Sequence, residues 1–369
     1  MGTAPRPVGA NIDCSRARGS GADRGGSNRL VLAPMTNQQS HPDGTLSDDE
    51  LDWLAARADG GFGLLHTAAT FVHPAGQVWP GQLGISSDSH LPGLERLAAR
   101  VAAAGARSSI QLHHGGVRAD PNLSHGTVVG PWDDAQTGVR ALSTSEVHQA
   151  VDDFAEAARR AENAGFDGIE VHGGHGFLVG QFLDASNNLR EDGYGSDPAG
   201  RSRFVKEVLK AIRERTGSGF HVGLRLSVER HGQVLGDMVD LVRELFASGD
   251  IDLLDLSLWD VRKLPANAPE GSATLIEHFL DIPRGGAALG VAGHISTARD
   301  AQRMLDQGAD LAYIGKAAIA DHSFATKAIA DPDYRPQEFP LSRERLRAER
   351  LGDAFIDYFG TNWPHLVDG

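Results

Sequence analysis

From Arg29 onward, short apolar runs of four to six residues alternate with longer stretches in which apolar positions recur at helical spacing. The runs predict strands over Leu30–Ala33, Gly63–Thr67, Ser108–Leu112, Gly168–His172, His221–Leu226, Leu253–Ser257, Ala288–Ala292 and Leu311–Ile314. The stretches between them predict helices over Asp48–Ala58, Leu91–Ala104, Thr144–Ala164, Arg201–Arg215, Gly236–Ala247, Ala273–Leu280 and Thr297–Gln307. Helix starts are marked by Ser47 before an acidic turn (Asp48, Asp49, Glu50) and by Thr144 before Glu146. Stops are marked by Gly105, Gly165 and Gly308. The runs read as apolar on both faces, as strands covered by helices are. Eight strand–helix pairs predict an α/β fold, a single-domain (β/α)8 TIM barrel over residues 29–369. Extra length at residues 115–143 and 177–200 follows the third and fourth strands, on the face where barrel active sites are built.

Residues 1–28 lack large apolar side chains and are expected to form a poorly ordered N-terminal leader. They contain no apolar stretch of signal-peptide type, and no apolar run in the chain approaches the roughly 18 residues that span a bilayer. A formal charge of −14 disfavours phosphodiester partners, so neither nucleic acid nor membrane is expected. Cys14 is the only cysteine, which excludes disulfides within the chain and cysteine-cluster metal sites. A cytoplasmic location fits that usage.

A barrel should gather polar residues at its strand ends. Pro34-Met35-Thr36, Ala69, Gln111, His113–His114, His172…His175, Arg225, Gly293–His294 and Gly315–Lys316 stand there. Loops after strands 7 and 8 commonly hold phosphate. Gly293 permits close backbone approach, Ser296–Thr297 open a helix whose N–H groups could face an anion, and Lys316 adds a fixed charge. The bland alternative is that these glycines only turn the chain. Neither G-x-G-x-x-G after a strand nor a P-loop occurs. His172 and His175 can turn both rings to one side. They read as a pair of N–H donors, as a zinc pair or as buried structural histidines, although no third and fourth zinc ligand stands out and no metal site is expected.

Several motifs resemble the Old Yellow Enzyme family of FMN-dependent ene-reductases. They are Asn28-Arg29-Leu30-Val31-Leu32-Ala33-Pro34-Met35-Thr36, Gln111-Leu112-His113-His114-Gly115-Gly116, and above all the stretch from Gly168 through His172, His175 and Gln181 to Arg203. Gly223–Ser227 and Gly308–Lys316 extend the similarity, which covers roughly residues 27–330. The resemblance implies FMN across the barrel mouth and NAD(P)H as reductant. It implies Thr36 at the flavin C4 edge, Pro34, Met35 and Ala69 against the ring, Gln111 at the pyrimidine edge and Arg225 near N1. Gly293, His294, Gly315 and Lys316 would hold the phosphate, where the family usually has Arg in place of Lys316. His172 and His175 would polarise a substrate oxygen. Where the family usually carries a proton-donating Tyr, this chain has Phe177. Tyr194 and His114 are possible replacement acids.

The resulting expectation is hydride transfer from NAD(P)H through flavin to a small electrophilic acceptor, an activated alkene, quinone or nitro compound. Two alternatives stay open at this point: a phosphate-binding barrel lyase or isomerase, and a flavin-holding barrel with little turnover. Trp79, Trp132 and Trp259 wall the pocket or simply pack. His73, Gln77 and His90 are expected on the surface, and Arg343–Arg350 as a solvated mixed-charge helix. Asn362-Trp363-Pro364 could dock on a second subunit of a homo-oligomer.

Overall fold

A computed structural model describes residues 7–10, 28–124, 126 and 128–368. Most of the expected leader, with Cys14, lies outside the described residues. The part that is described packs: Val8 is buried, its N–H donates to Gln302 and its carbonyl accepts from Arg29 N–H, and Gly9 abuts Ile329.

Eight parallel strands close into a barrel: β1 (Leu30–Leu32), β2 (Leu64–Phe71), β3 (Arg107–His113), β4 (Gly168–Gly173), β5 (His221–Leu226), β6 (Leu253–Ser257), β7 (Ala288–Ala292) and β8 (Leu311–Ile314). They pair in chain order, and β1 closes the ring by pairing Val31 with both Leu64 and Tyr313. The sequence expectation of eight strands holds, with four matched at both ends. Six of the seven expected helices also form nearly as read. The expected helix over 273–280 is only its last turn, Glu277–Leu280, because the Thr274 N–H and hydroxyl both donate to the Glu277 carboxylate and hold the preceding chain out of helix. Ser143, one residue before the expected Thr144, caps the helix Thr144–Asn163 in a full capping box with Glu146.

The strands alternate more sharply than expected. Outward residues (Ile169 and Val171 on β4, Val222, Leu224 and Leu226 on β5, Leu254 and Leu256 on β6) join the helices in the main core. The inner face is instead polar at mid-barrel, so the runs are not apolar on both faces. Gln111, Glu170, Arg225, Asp255, His66 and Tyr313 point inward and are buried. Residue parity requires this: strand neighbours of an outward leucine point to the barrel axis. Gly290 makes room there, since a Cβ at this position would sit 2.4 Å from the Tyr313 ring.

Beyond β8 the chain adds helices Lys316–Ala320, Phe324–Ala330, Arg343–Ala348 and Asp353–Asn362. The Arg343–Ala348 helix pairs Arg345 with Glu349 and Arg347 with Asp353, and it buries Leu346 completely. His90 and Gln77 are buried rather than on the surface. His90 reaches the carbonyls of Ser87 and Asp43 and meets the Phe71 ring edge-on, contacts that its neighbours in sequence do not announce. His73 is exposed. No helix among the described residues is long and apolar enough to cross a membrane.

Candidate active site

A cavity of about 510 Å³ opens at the C-terminal end of the barrel. Of the twelve residues expected to hold flavin or substrate, nine line it: Pro34, Met35, Thr36, His175, Arg225, Gly293, His294, Gly315 and Lys316. Ala69, Gln111 and His172 do not. Ala69 is buried on β2, where its carbonyl accepts from Gln82. Gln111 turns down the barrel and donates to Glu170 Oε1 at 2.7 Å. His172 lies against Phe177, ring centres 5.2 Å apart, and it is Phe177 that faces the cavity.

Fixed hydrogen bonds set the protonation of the histidine pair. Gly174 N–H donates to His172 Nδ1 at 3.3 Å, so the His172 proton sits on Nε2 and points at His175 Nδ1, 3.3 Å away. His175 then carries its proton on Nε2 and donates to Ser257 Oγ at 2.8 Å. Burial holds the pKa of His172 well below its ordinary value and pushes that of His175 down to about 3. Both are neutral donors at physiological pH. His175 is held in the left-handed region (φ 58°), with its N–H on Ser227 Oγ and its carbonyl accepting from Arg118. Such strain persists only where the surroundings over-determine it, and it is frequent at functional sites.

Arg225 spans two environments. Its Nη2 donates to Ser257 Oγ at 3.2 Å on the cavity side, while its Nε lies 3.0 Å from Asp255 Oδ2 inside the barrel. Asp255 and Glu170 are both fully buried, and burial raises each carboxyl to about 7 against the pull of Arg225. Sequence reading passed over both, because their strands looked like ordinary runs.

At the ends of β7 and β8 the expected anion site is corrected in one respect. The Ser296 and Thr297 N–H groups are taken by the Asp300 carboxylate in a capping box, so the helix Ala298–Gln307 offers them to no anion. No side chain caps the short helix Lys316–Ala320, and Lys316 is exposed at its start. Gly293 adopts φ 150°, and a Cβ on it would come within 3.0 Å of the Trp259–Asp260 backbone, a close approach reserved for glycine.

Neither candidate acid reaches the cavity. Tyr194 is buried and donates to Glu207 Oε2 at 2.6 Å, and His114 accepts from Gly116 N–H at 3.0 Å. Trp79 tilts over His113 and meets Phe177, whereas Trp259 stands on the cavity rim, 65% exposed, with Arg230 against its ring. Sequence reasoning missed Arg118, Ser257 and the C-terminal helix, whose Phe355, Tyr358 and Phe359 wall the cavity. Ser257 ends a strand and was legible on that ground. Trp363 packs on Tyr358 and Phe359 of its own chain and lines the same cavity. Among the described residues one metal-capable group, Asp321, His322 and Glu349, lies away from the cavity, and Lys327 and Arg345 pair with its carboxylates.

Residues 27–332 match the model of the NADH:flavin oxidoreductase / NADH oxidase family. The chain belongs to this family. It is 36% identical to Probable NADH-dependent flavin oxidoreductase YqiG of Bacillus subtilis over 81% of this chain and 83% of that one. It is 31% identical to NADH:acrylate oxidoreductase of Vibrio harveyi over 82% of this chain, but spans only 32% of that longer protein. The solved old yellow enzyme homologue from Zymomonas mobilis superposes with a TM-score of 0.73 and 26% identity, covering 87% of this chain and 92% of that one. The protein is therefore an NAD(P)H-dependent FMN oxidoreductase of the Old Yellow Enzyme type. The lyase or isomerase alternative is set aside by this membership.

Proposed function

We propose that this flavin oxidoreductase passes hydride from NAD(P)H to a small electrophilic acceptor in the cavity at the barrel mouth. One observation carries the reading: neutral His175, backed by neutral His172, stands with Arg225 in the wall of a cavity whose described lining includes no carboxylate. The donor set suits FMN. An apolar wall (Ala33, Met35, Ile319) fits the ring, Arg225 fits the negative charge of the reduced pyrimidine edge, and Lys316 fits the phosphate. Pro34, Met35 and Thr36 would contact the ring, and Gly293, His294 and Gly315 the phosphate end, while Ala69 and Gln111 stand outside the cavity lining. FMN, when bound, supplies two-electron hydride chemistry.

The chain's own residues do the rest. His175, aligned by Ser227, Ser257 and Arg118, and His172 behind it would turn N–H groups onto the oxygen of a carbonyl, nitro or quinone acceptor. Neutral imidazoles polarise that oxygen without protonating it. Phe177 has no proton to give, and its ring packs against His113 and His172. The α-carbon of a reduced alkene therefore takes its proton from solvent. Acceptors whose reduced anions are already stable lose least by this, so quinones and nitro compounds should outpace simple enones. The test is the absorption spectrum of the isolated protein, its bleaching by NADH or NADPH, and recovery with enones, nitro compounds and quinones. A protein that is colourless after reconstitution, or yellow but inert to both nucleotides, defeats the reading.

A further inference from the structure

Three side chains of fixed positive charge line the cavity, Arg118, Arg225 and Lys316, and no Asp or Glu among the described residues joins them. This is a concentrated field in a chain of formal charge −14. Two of the three have an assigned counter-charge on the functional reading above. Arg225 faces Asp255 and the flavin edge, and Lys316 faces the phosphate. Arg118 is left over. No carboxylate lies within ion-pair distance of it among the described residues. Its contacts are the His175 carbonyl, which accepts from Nη1 at 2.5 Å, and the Phe177 ring, 4.7 Å from the guanidinium carbon. Partial burial holds its pKa below the ordinary guanidinium value, a cost that a bound anion would relieve. A guanidinium presents a planar fork that matches a carboxylate in two parallel bonds.

We infer that Arg118 receives the carboxylate of the acceptor, so that the preferred substrates are electrophilic alkenes carrying an anionic carboxylate beside the group that activates the double bond. The inference rests on the reductase reading and names its substrate class. The placement rests on Arg118 gripping the His175 backbone, which sets the guanidinium and the His175 imidazole in the wall of one cavity. The overall reaction balances with the known reductant. NAD(P)H gives up hydride, the β-carbon receives it, solvent supplies one proton to the α-carbon, and the carboxylate leaves unchanged.

The test compares (E)-4-oxo-2-pentenoate with its methyl ester, two acceptors that differ in the charge. The wild-type holoenzyme is expected to favour the acid in kcat/KM by roughly tenfold or more, the value of one charged hydrogen-bonded contact. Arg118→Gln should erase that preference, mostly through KM for the acid, and Arg118→Lys should keep part of it. Binding of the saturated keto acid 4-oxopentanoate, followed by perturbation of the flavin absorption, gives a readout without turnover and should weaken by a similar factor in Arg118→Gln. If wild-type enzyme uses acid and ester alike, or if Arg118→Gln lowers both equally and leaves 4-oxopentanoate binding unchanged, the inference falls while the reductase reading stands. If the flavin cannot be reduced by either nucleotide, the reductase reading falls and the inference goes with it.

Discussion

Replacing Arg225 by Met should expose how the barrel interior is balanced. Among the described residues, Arg225 is the fixed cation beside two fully buried carboxyls, Asp255 at 3.0 Å and Glu170. Methionine fills similar volume, so the main loss is charge. Removing one partner of a buried pair costs about 3–5 kcal/mol, because the other is left ionised in a low-dielectric site. Here that cost must depend on pH. Both carboxyls have folded pKa values near 7, above those of the unfolded chain, so their contribution to stability is fully present below the unfolded carboxyl pKa. It is lost as pH rises through about 7, and stability falls across that window. In Arg225→Met the carboxyls are pushed higher still. The apoprotein variant should therefore lose little thermal stability at about pH 5.5, where they are protonated, and the full amount at about pH 8.5. Arg225→Met/Asp255→Asn should recover most of the loss at the higher pH, since a neutral amide no longer demands a counter-charge. Thermal unfolding of the three apoproteins at both pH values decides the matter. An equal loss for Arg225→Met at both, or a double variant no better than the single one, would refute the reasoning.

Other outcomes follow from the same geometry. Phe177→Tyr restores a phenol beside His172 and His113 and should raise enone turnover by up to about 10²-fold with little change for quinones; steady-state rates for both acceptors check it. Lys316→Gln should weaken FMN binding roughly tenfold or more and flatten its salt dependence, while Lys316→Arg should tighten it through bidentate contact, as read by FMN fluorescence titration of the apoprotein. Gly290→Ala drives a methyl to 2.4 Å from the Tyr313 ring and should destabilise by about 1–3 kcal/mol through overpacking, measured as a fall in thermal midpoint relative to wild type.

Much of this protein was written in its linear pattern. Outward leucines, isoleucines and valines recur on every strand because helices cover the barrel, and that recurrence fixes eight strands from sequence alone. The motif from Gly168 to Arg203 marks the family because backbone turns and paired histidines need those residue types at that spacing. What faces what had to wait for the tertiary structure. Asp300 takes the N–H groups of Ser296 and Thr297 that an anion would have used, a competition invisible in the order of residues. Glu170 and Asp255 look unremarkable in their runs and become a charged cluster only when strands distant in sequence turn their inner faces to one axis. Arg118 and the helix Asp353–Asn362 come from opposite parts of the chain to wall one cavity. Local sequence sets which way a strand alternates or where a helix starts, because those are interactions between near neighbours. Closure of the barrel decides which distant charges share a low-dielectric space, and it is there that the counter-charges, the neutral histidines and the unmatched arginine acquire their chemistry.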